Sequence, residues 1–243
     1  MVFSSFVYLL AFFPIVLVLY YILPKKVRNL LLLVFSLLFY AWGEPIYVVI
    51  MLLSTVIDYT NGLCIEHYKK KEKPGWAKFF LVLDVCFNLG ILGFFKYADF
   101  VLENINSITG AGISLLHIAL PIGISFYTFQ TMSYTIDVYR GVVPAQKNIL
   151  TFATYVTLFP QLIAGPIVQY KTVEAELEDR KVDVSTFCTG VFRFTIGLAK
   201  KVILANQIGA LFETIQGLNQ LSVATAWLGA ISYAFQIYFD FSG

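Results

Sequence analysis

The sequence predicts an all-α, polytopic membrane protein of about seven or eight transmembrane helices plus surface or re-entrant helices. Two observations predict this class. The chain is 58% hydrophobic and only 13% charged, with a mean hydropathy of +0.76, whereas soluble domains carry about 25% charged residues. Its apolar stretches are also long enough to cross a bilayer and are punctuated by short basic turns, the pattern that marks cytoplasmic loops.

The first span runs from Phe6 to Leu23, with Pro14 as a kink. It lacks a basic n-region and a small-residue cleavage site, so it reads as retained. Lys25, Lys26 and Arg28 follow at once, which places that turn in the cytoplasm and the N-terminus outside. Leu30 to Trp42 returns outward to an external turn at Gly43-Glu44-Pro45, and Ile46 to Leu63 comes back in, carrying Asp58. The densest basic cluster (Lys69, Lys70, Lys71, Lys73 and Lys78) then falls on the side already assigned to the cytoplasm. Topology alone explains these lysines, and an anionic-lipid or partner dock is the functional alternative.

Phe79 to Phe95 spans outward with Asp84 and Asn88 inside it. Tyr97 to Leu116 alternates polar and apolar residues and reads as a helix lying on the outer surface, broken by Gly110 and Gly112. Pro121 to Gly141 organises the rest. At helical spacing Tyr127, Gln130, Thr131, Tyr134 and Asp137 share one side. Lipid offers no hydrogen bonds, so this stripe must face protein or trapped water. An interhelical seam and the wall of a substrate passage both remain open.

Asn148 to Tyr170 contains Pro160, Gly165 and Pro166, which interrupt a helix and free backbone groups. It reads as a re-entrant element or a span with a broken end. Lys171 to Asp183 is a charged surface segment. Ser185 to Asn206 is apolar apart from Arg193 and the Lys200-Lys201 pair, Gly209 to Asn219 is amphipathic, and Leu221 to Gly243 is a final apolar helix with Gln236 and Asp240. No linker divides the chain, so residues 1–243 read as a single membrane-embedded domain. The apolar run at Gly243 has no polar tail, which reads as truncation at the C-terminus.

Chemistry-bearing motifs are sparse. Cys64, Cys86 and Cys188 are isolated in apolar surroundings and lack metal spacing. His67 lies in the basic loop and His117 at the outer mouth of the organising helix; neither is placed as a base. No nucleophile elbow, phosphate loop or dinucleotide fingerprint is present. The acids Asp58, Asp84, Asp137 and Asp240 are costly in a membrane, at about 2.5–3.5 kcal/mol each on insertion scales. The structural reading pairs each with an Arg, a Tyr or backbone, as Asp137 with Arg140 one turn on, and the functional reading is a polar passage or a proton relay; structure is favoured for Asp58 and Asp84, and both readings stay open for Asp137 and Asp240. The net charge of +2 says nothing of nucleic acid.

Several blocks in order resemble one family. Pro121-Ile-Gly-Ile-Ser-Phe-Tyr-Thr-Phe-Gln130 with Tyr134-Thr-Ile-Asp-Val-Tyr-Arg-Gly141 is similar to a signature of membrane-bound O-acyltransferases, in the branch of the alginate O-acetylation and teichoic-acid D-alanyl transfer proteins. Phe39 to Pro45, Phe94 to Tyr97, Pro160 to Ile167, Gly197 to Val202 and Tyr233 to Gly243 resemble further blocks, so the likeness spans the chain. The resemblance implies transfer of an acyl group, most often acetyl, from a cytoplasmic donor such as acetyl-CoA or an acyl carrier. The acceptor would be an extracytoplasmic polysaccharide or carrier, with an extracytoplasmic acetyl-transfer partner. It further implies a buried histidine as general base, which in the family lies beyond the region equivalent to Gly243, so the chain resembles the N-terminal half alone and is expected to be inactive by itself. From the polar stripe, and not from the family's catalytic set, Gln130, Tyr134, Asp137, Gln161, Gly165, Gln236 and Asp240 are the candidates to line a passage. No metal or bound cofactor is expected. A multi-span transporter and a scaffold subunit of an envelope-modifying complex are the rival readings.

Overall fold

The computed structural model describes residues 3–162, 167–180, 183–218 and 220–243, and every regular element among them is helical. The chain divides into two compact units, Ile15–Asp179 and a second that joins Val2–Pro14 to Arg180–Gly243. A π-helical turn, Tyr8–Phe12, leads into α1 (Phe13–Ile22), with the Phe13 N–H reaching back to the Tyr8 carbonyl. Pro14 sits just past that widened turn, where its missing N–H would have broken an ordinary ladder.

In the first unit α2 (Lys25–Ala41), α3 (Val48–Lys70), α4 (Pro74–Thr109) and α5 (Ile124–Arg140) are followed by α6 (Ile149–Thr157), α7 (Phe159–Leu162) and α8 (Tyr170–Glu178). Helices α3, α4 and α5 pack on one another, and α6 fills the space against α2 and α3. Tyr127, Tyr134, Phe152, Tyr155 and Tyr170 dominate the core. α3 and α4 are long and apolar enough to cross a membrane. Ordinary local rules place the ends. Pro74 sits in the first turn of α4, and Gly110 closes it at φ +67°. Gly141 ends α5 at φ +80°, with its N–H on the Val138 carbonyl and the Val142 N–H on that of Asp137, the paired bonds of a Schellman cap.

Two expectations change. Phe79–Phe95 and Tyr97–Thr109 lie in one helix, α4, of 36 residues. Polar residues after Lys96 alter what the helix faces, but nothing there breaks it before Gly110. Among its described residues Asn148–Tyr170, open between a re-entrant element and a span with a broken end, holds no single helix long enough to cross a bilayer. α6 has nine residues, about 14 Å of helix, against a hydrocarbon core of about 30 Å. Asn148 caps it by accepting from the Leu150 N–H. The chain then turns at Leu158 into the four-residue α7. Gly165 and Pro166, expected to contribute to this break, lie outside the described residues.

In the second unit α9 (Val184–Ala199) and α10 (Asn206–Gln216), expected as separate segments, are joined by a π-helical turn at Lys200–Ala205, and α11 (Val223–Ser242) packs on α10 and on that turn. Asp183 and Ser222 cap α9 and α11 by accepting from the Thr186 and Thr225 N–H groups. α9 has no buried residue, yet Val191, Phe192 and Ile196 are on its surface. An apolar helix exposed in this way suits a hydrocarbon surround.

Candidate functional site

The site is built on α5, whose polar stripe does turn into protein. Tyr127, Gln130, Thr131 and Tyr134 are all at most 2% exposed, while Asp137 is half-buried. Two hydrogen-bond networks hang from this helix.

The first joins α5 to the broken segment. The side-chain amides of Gln130 and Gln161 both donate to the Tyr155 carbonyl, at 2.9 and 2.7 Å. That carbonyl lies in the last turn of α6, where acceptors lack intrahelical partners, and two amides fill its two lone pairs. The Phe159 N–H, freed by the turn, donates to the Ser36 hydroxyl at 3.1 Å. The Tyr155 carbonyl and the Phe159 N–H at the break between α6 and α7 are thus both satisfied inside protein. Gly123 begins α5 at φ +77°, where an added Cβ would stand 2.7 Å from the Leu162 carbonyl. Tyr134 is equally fixed: its hydroxyl accepts from the Gln146 N–H at 2.9 Å, and its ring lies against Gly62, where a Cβ would meet it at 3.0 Å. Gln146 donates onward to the Tyr170 hydroxyl at 2.8 Å and accepts from the Asn148 N–H. Burial pushes the Tyr170 hydroxyl up to about 12. Burial and the charge of Glu178 raise the neighbouring Glu174 above the usual carboxylate range.

The second network joins α3, α4 and α5 through buried acids. Asn88 of α4 donates to Asp58 of α3 at 2.7 Å, and Asn61 of α3 donates to Asp84 of α4 at 2.9 Å. Each amide thus serves the acid of the other helix. Thr135 of α5 donates to the second oxygen of Asp84 at 2.7 Å. The expectation that these acids pair with Arg, Tyr or backbone is corrected: the partners are Asn and Thr. Nor does Asp137 pair with Arg140; the ion pairs among the described residues are Lys25–Asp179, Lys70–Glu66 and Lys201–Asp240. The long arm of Arg140 at the cap of α5 is exposed, and exposure favours solvation over a surface pair worth a few tenths of a kcal/mol.

The structure gathers Gln130, Tyr134 and Gln161 around Tyr155 and Tyr170. Gln236 and Asp240 belong to the second unit, where Gln236 packs against Gly209 and Asp240 pairs with Lys201. His67 and His117 are both exposed. The lysine cluster is partly absorbed locally. Lys69 donates to the Val138 and Tyr139 carbonyls at the end of α5, and Lys70 pairs with Glu66, leaving Lys71, Lys73 and Lys78 exposed. Sequence reasoning missed the Asn61 and Asn88 exchange, although each Asn stands one helical turn after an Asp. It also missed Gln146, which sits in an irregular segment with no periodicity to flag it.

No family model matches the chain, and no solved structure gives a significant match. Curated proteins do. The chain is 44% identical over 247 residues to the "Probable alginate O-acetylase AlgI" of Pseudomonas aeruginosa, with all of this chain and 47% of that protein aligned. It is 41% identical over 249 residues to the protein of the same name from Azotobacter vinelandii, covering 49% of it. The "Peptidoglycan O-acetyltransferase" of Helicobacter pylori is 32% identical over 276 residues, with 52% of it covered. Aligned along its whole length with these acetylases, the chain spans about half of theirs, in agreement with the resemblance to the N-terminal half of membrane-bound O-acyltransferases.

Proposed function

We propose that this chain forms the N-terminal half of an O-acyltransferase that carries an acetyl group across the cell membrane to a polysaccharide. The observation that supports this reading is the 44% identity to an alginate O-acetylase along the entire chain. In this proposal both units belong to one multi-pass domain of about seven or eight spans, with the N-terminus outside and the basic loop after α3 in the cytoplasm. The donor, acetyl-CoA or an acyl carrier, is met on the cytoplasmic side. The acceptor, and a partner protein that completes transfer, are met outside. A histidine downstream of this region serves as general base on the acceptor hydroxyl.

Within the first unit Gln130, Tyr134, Asp137 and Gln161 are proposed to form or brace the passage. Asp137 is the favoured substrate-facing member, since among the described residues no hydrogen bond or ion pair occupies its carboxylate. Gln130, Tyr134 and Gln161 already hold the protein's own backbone and brace the wall.

The test is O-acetyl content of secreted polysaccharide in a deletion strain complemented with the full-length gene. The proposal expects O-acetyl groups to vanish on deletion and return on complementation, with secretion unchanged. Asp137→Asn should lower O-acetylation without lowering membrane abundance. Unchanged O-acetylation with lost secretion would point instead to a transporter.

A further inference from the structure

Asp58 of α3 and Asp84 of α4 are in side-chain hydrogen-bond contact with each other, beside Thr131 of α5. An ionised carboxylate only accepts, so two of them make no such bond. One proton must lie between them, and the surrounding donors say where. Asp84 accepts on both oxygens, from the Asn61 amide at 2.9 Å and the Thr135 hydroxyl at 2.7 Å. Asp58 accepts on Oδ1, from the Asn88 amide at 2.7 Å. Its Oδ2 is buried and receives no donor. The Thr131 hydroxyl gives its own proton to the Thr128 carbonyl at 3.2 Å. Three of the four carboxylate oxygens are thus served as acceptors, and the fourth is the one placed to hold a proton.

The neighbouring helices leave that proton in place. The titratable group facing Asp58 from α5 is the Tyr127 hydroxyl, with Tyr40 of α2 behind it. On α6 and α8, Tyr155, Tyr170, Glu174 and Glu178 are set against one another and Asp137. The ion pairs among the described residues all lie elsewhere. Two carboxylates in contact away from water do not both stay ionised. A carboxyl that donates to a carboxylate makes a charge-assisted bond, stronger than one between neutral groups. One buried charge then remains instead of two, and three donors hold it: Asn61, Thr135 and the Asp58 carboxyl.

We propose that Asp58 and Asp84 form a one-proton clamp, in which Asp58 Oδ2 carries the proton and donates it to the Asp84 carboxylate, tying α3 to α4 against α5. The experiment is infrared spectroscopy of the purified full-length protein in an ester-free detergent. At neutral pH, where solvated aspartates are ionised, the spectrum should contain a protonated-carboxyl band that shifts in heavy water. Asp58→Asn should remove that band. The same variant sets an amide N–H where the proton lay, so it should melt as the wild type does, while Asp58→Ala should melt lower. Should the variants at Asp58 fail to fold, Asn88→Ala, which strips the donor from the Asp58 carbonyl oxygen, should move the band to higher frequency. Lys71→Gln, at the exposed loop, should leave it unchanged. Absence of an exchangeable carboxyl band from the wild type would overturn the proposal. So would a band that neither Asp58→Asn nor Asn88→Ala alters, since it would belong to another acid. An Asp58→Asn protein that melts as low as Asp58→Ala would take the proton away from Oδ2.

Discussion

At the scale of single residues, the polar side chains of α5 differ in what they can lose. Tyr134→Phe keeps the ring in its place against Gly62 but leaves the buried Gln146 N–H without an acceptor. The cost of such an orphaned donor is about 1–3 kcal/mol, measurable as a lower melting temperature of the purified protein. A melting temperature equal to wild type would show that the Tyr134 hydroxyl is not a structural acceptor. Gly123→Ala meets two obstacles at once, a left-handed backbone and the Leu162 carbonyl 2.7 Å from the new methyl. Strain of this kind runs to about 1–3 kcal/mol before the clash is counted, so markedly reduced membrane abundance is expected on immunoblot. By contrast Gly90→Ala, with open space around its Cβ, should be accepted without loss.

At the scale of elements, the caps carry the argument. Asn148 opens the short α6, and an isolated helix of nine residues is marginal without such help. Asn148→Ala should cost about 1 kcal/mol, while Asn148→Asp, which keeps the acceptor, should cost far less; comparative thermal unfolding of the two reads this directly. Asp183 opens α9, where the Thr186 hydroxyl and N–H hold its carboxylate below the usual range. A lowered folded-state value means that the ionised form stabilises the cap. That contribution is present above the ordinary value of 3.8 and is lost as pH falls below it. The hydrogen-exchange protection factor at the first turn of α9, taken relative to the intrinsic rate at each pH, should therefore fall on acidification below that value, and Asp183→Asn should show no such pH step.

At the scale of the whole molecule, the proposed orientation can be checked with cysteines on a background lacking Cys64, Cys86 and Cys188. A thiol at Lys71 should react with an impermeant reagent only in opened cells, and one at Glu44 in intact cells. The reverse pattern would invert the assignment, and reaction of both in intact cells would remove the span between them.

The division between what the sequence determined and what the tertiary structure decided has a physical basis. The sequence by itself determined the helical membrane class, since composition sets which solvent the chain can face. It also determined the organising helix, because Gly123 and Gly141 bracket an apolar run with a polar side, and the break near Pro160, because proline removes a donor wherever it falls. Those are local properties. The union of Phe79–Phe95 with Tyr97–Thr109 was not legible, since a change of polarity resembles a boundary unless a breaker accompanies it. The partners of Asp58 and Asp84 were not legible either. Each acid is served by an amide on another helix, 23 to 30 residues away in the chain, and a helix's own periodicity says which residues share a face but not which face it meets. Gln130 and Gln161 read as polar lining for the same reason. Only packing brought them to the Tyr155 carbonyl, because the need they meet arises where α6 ends.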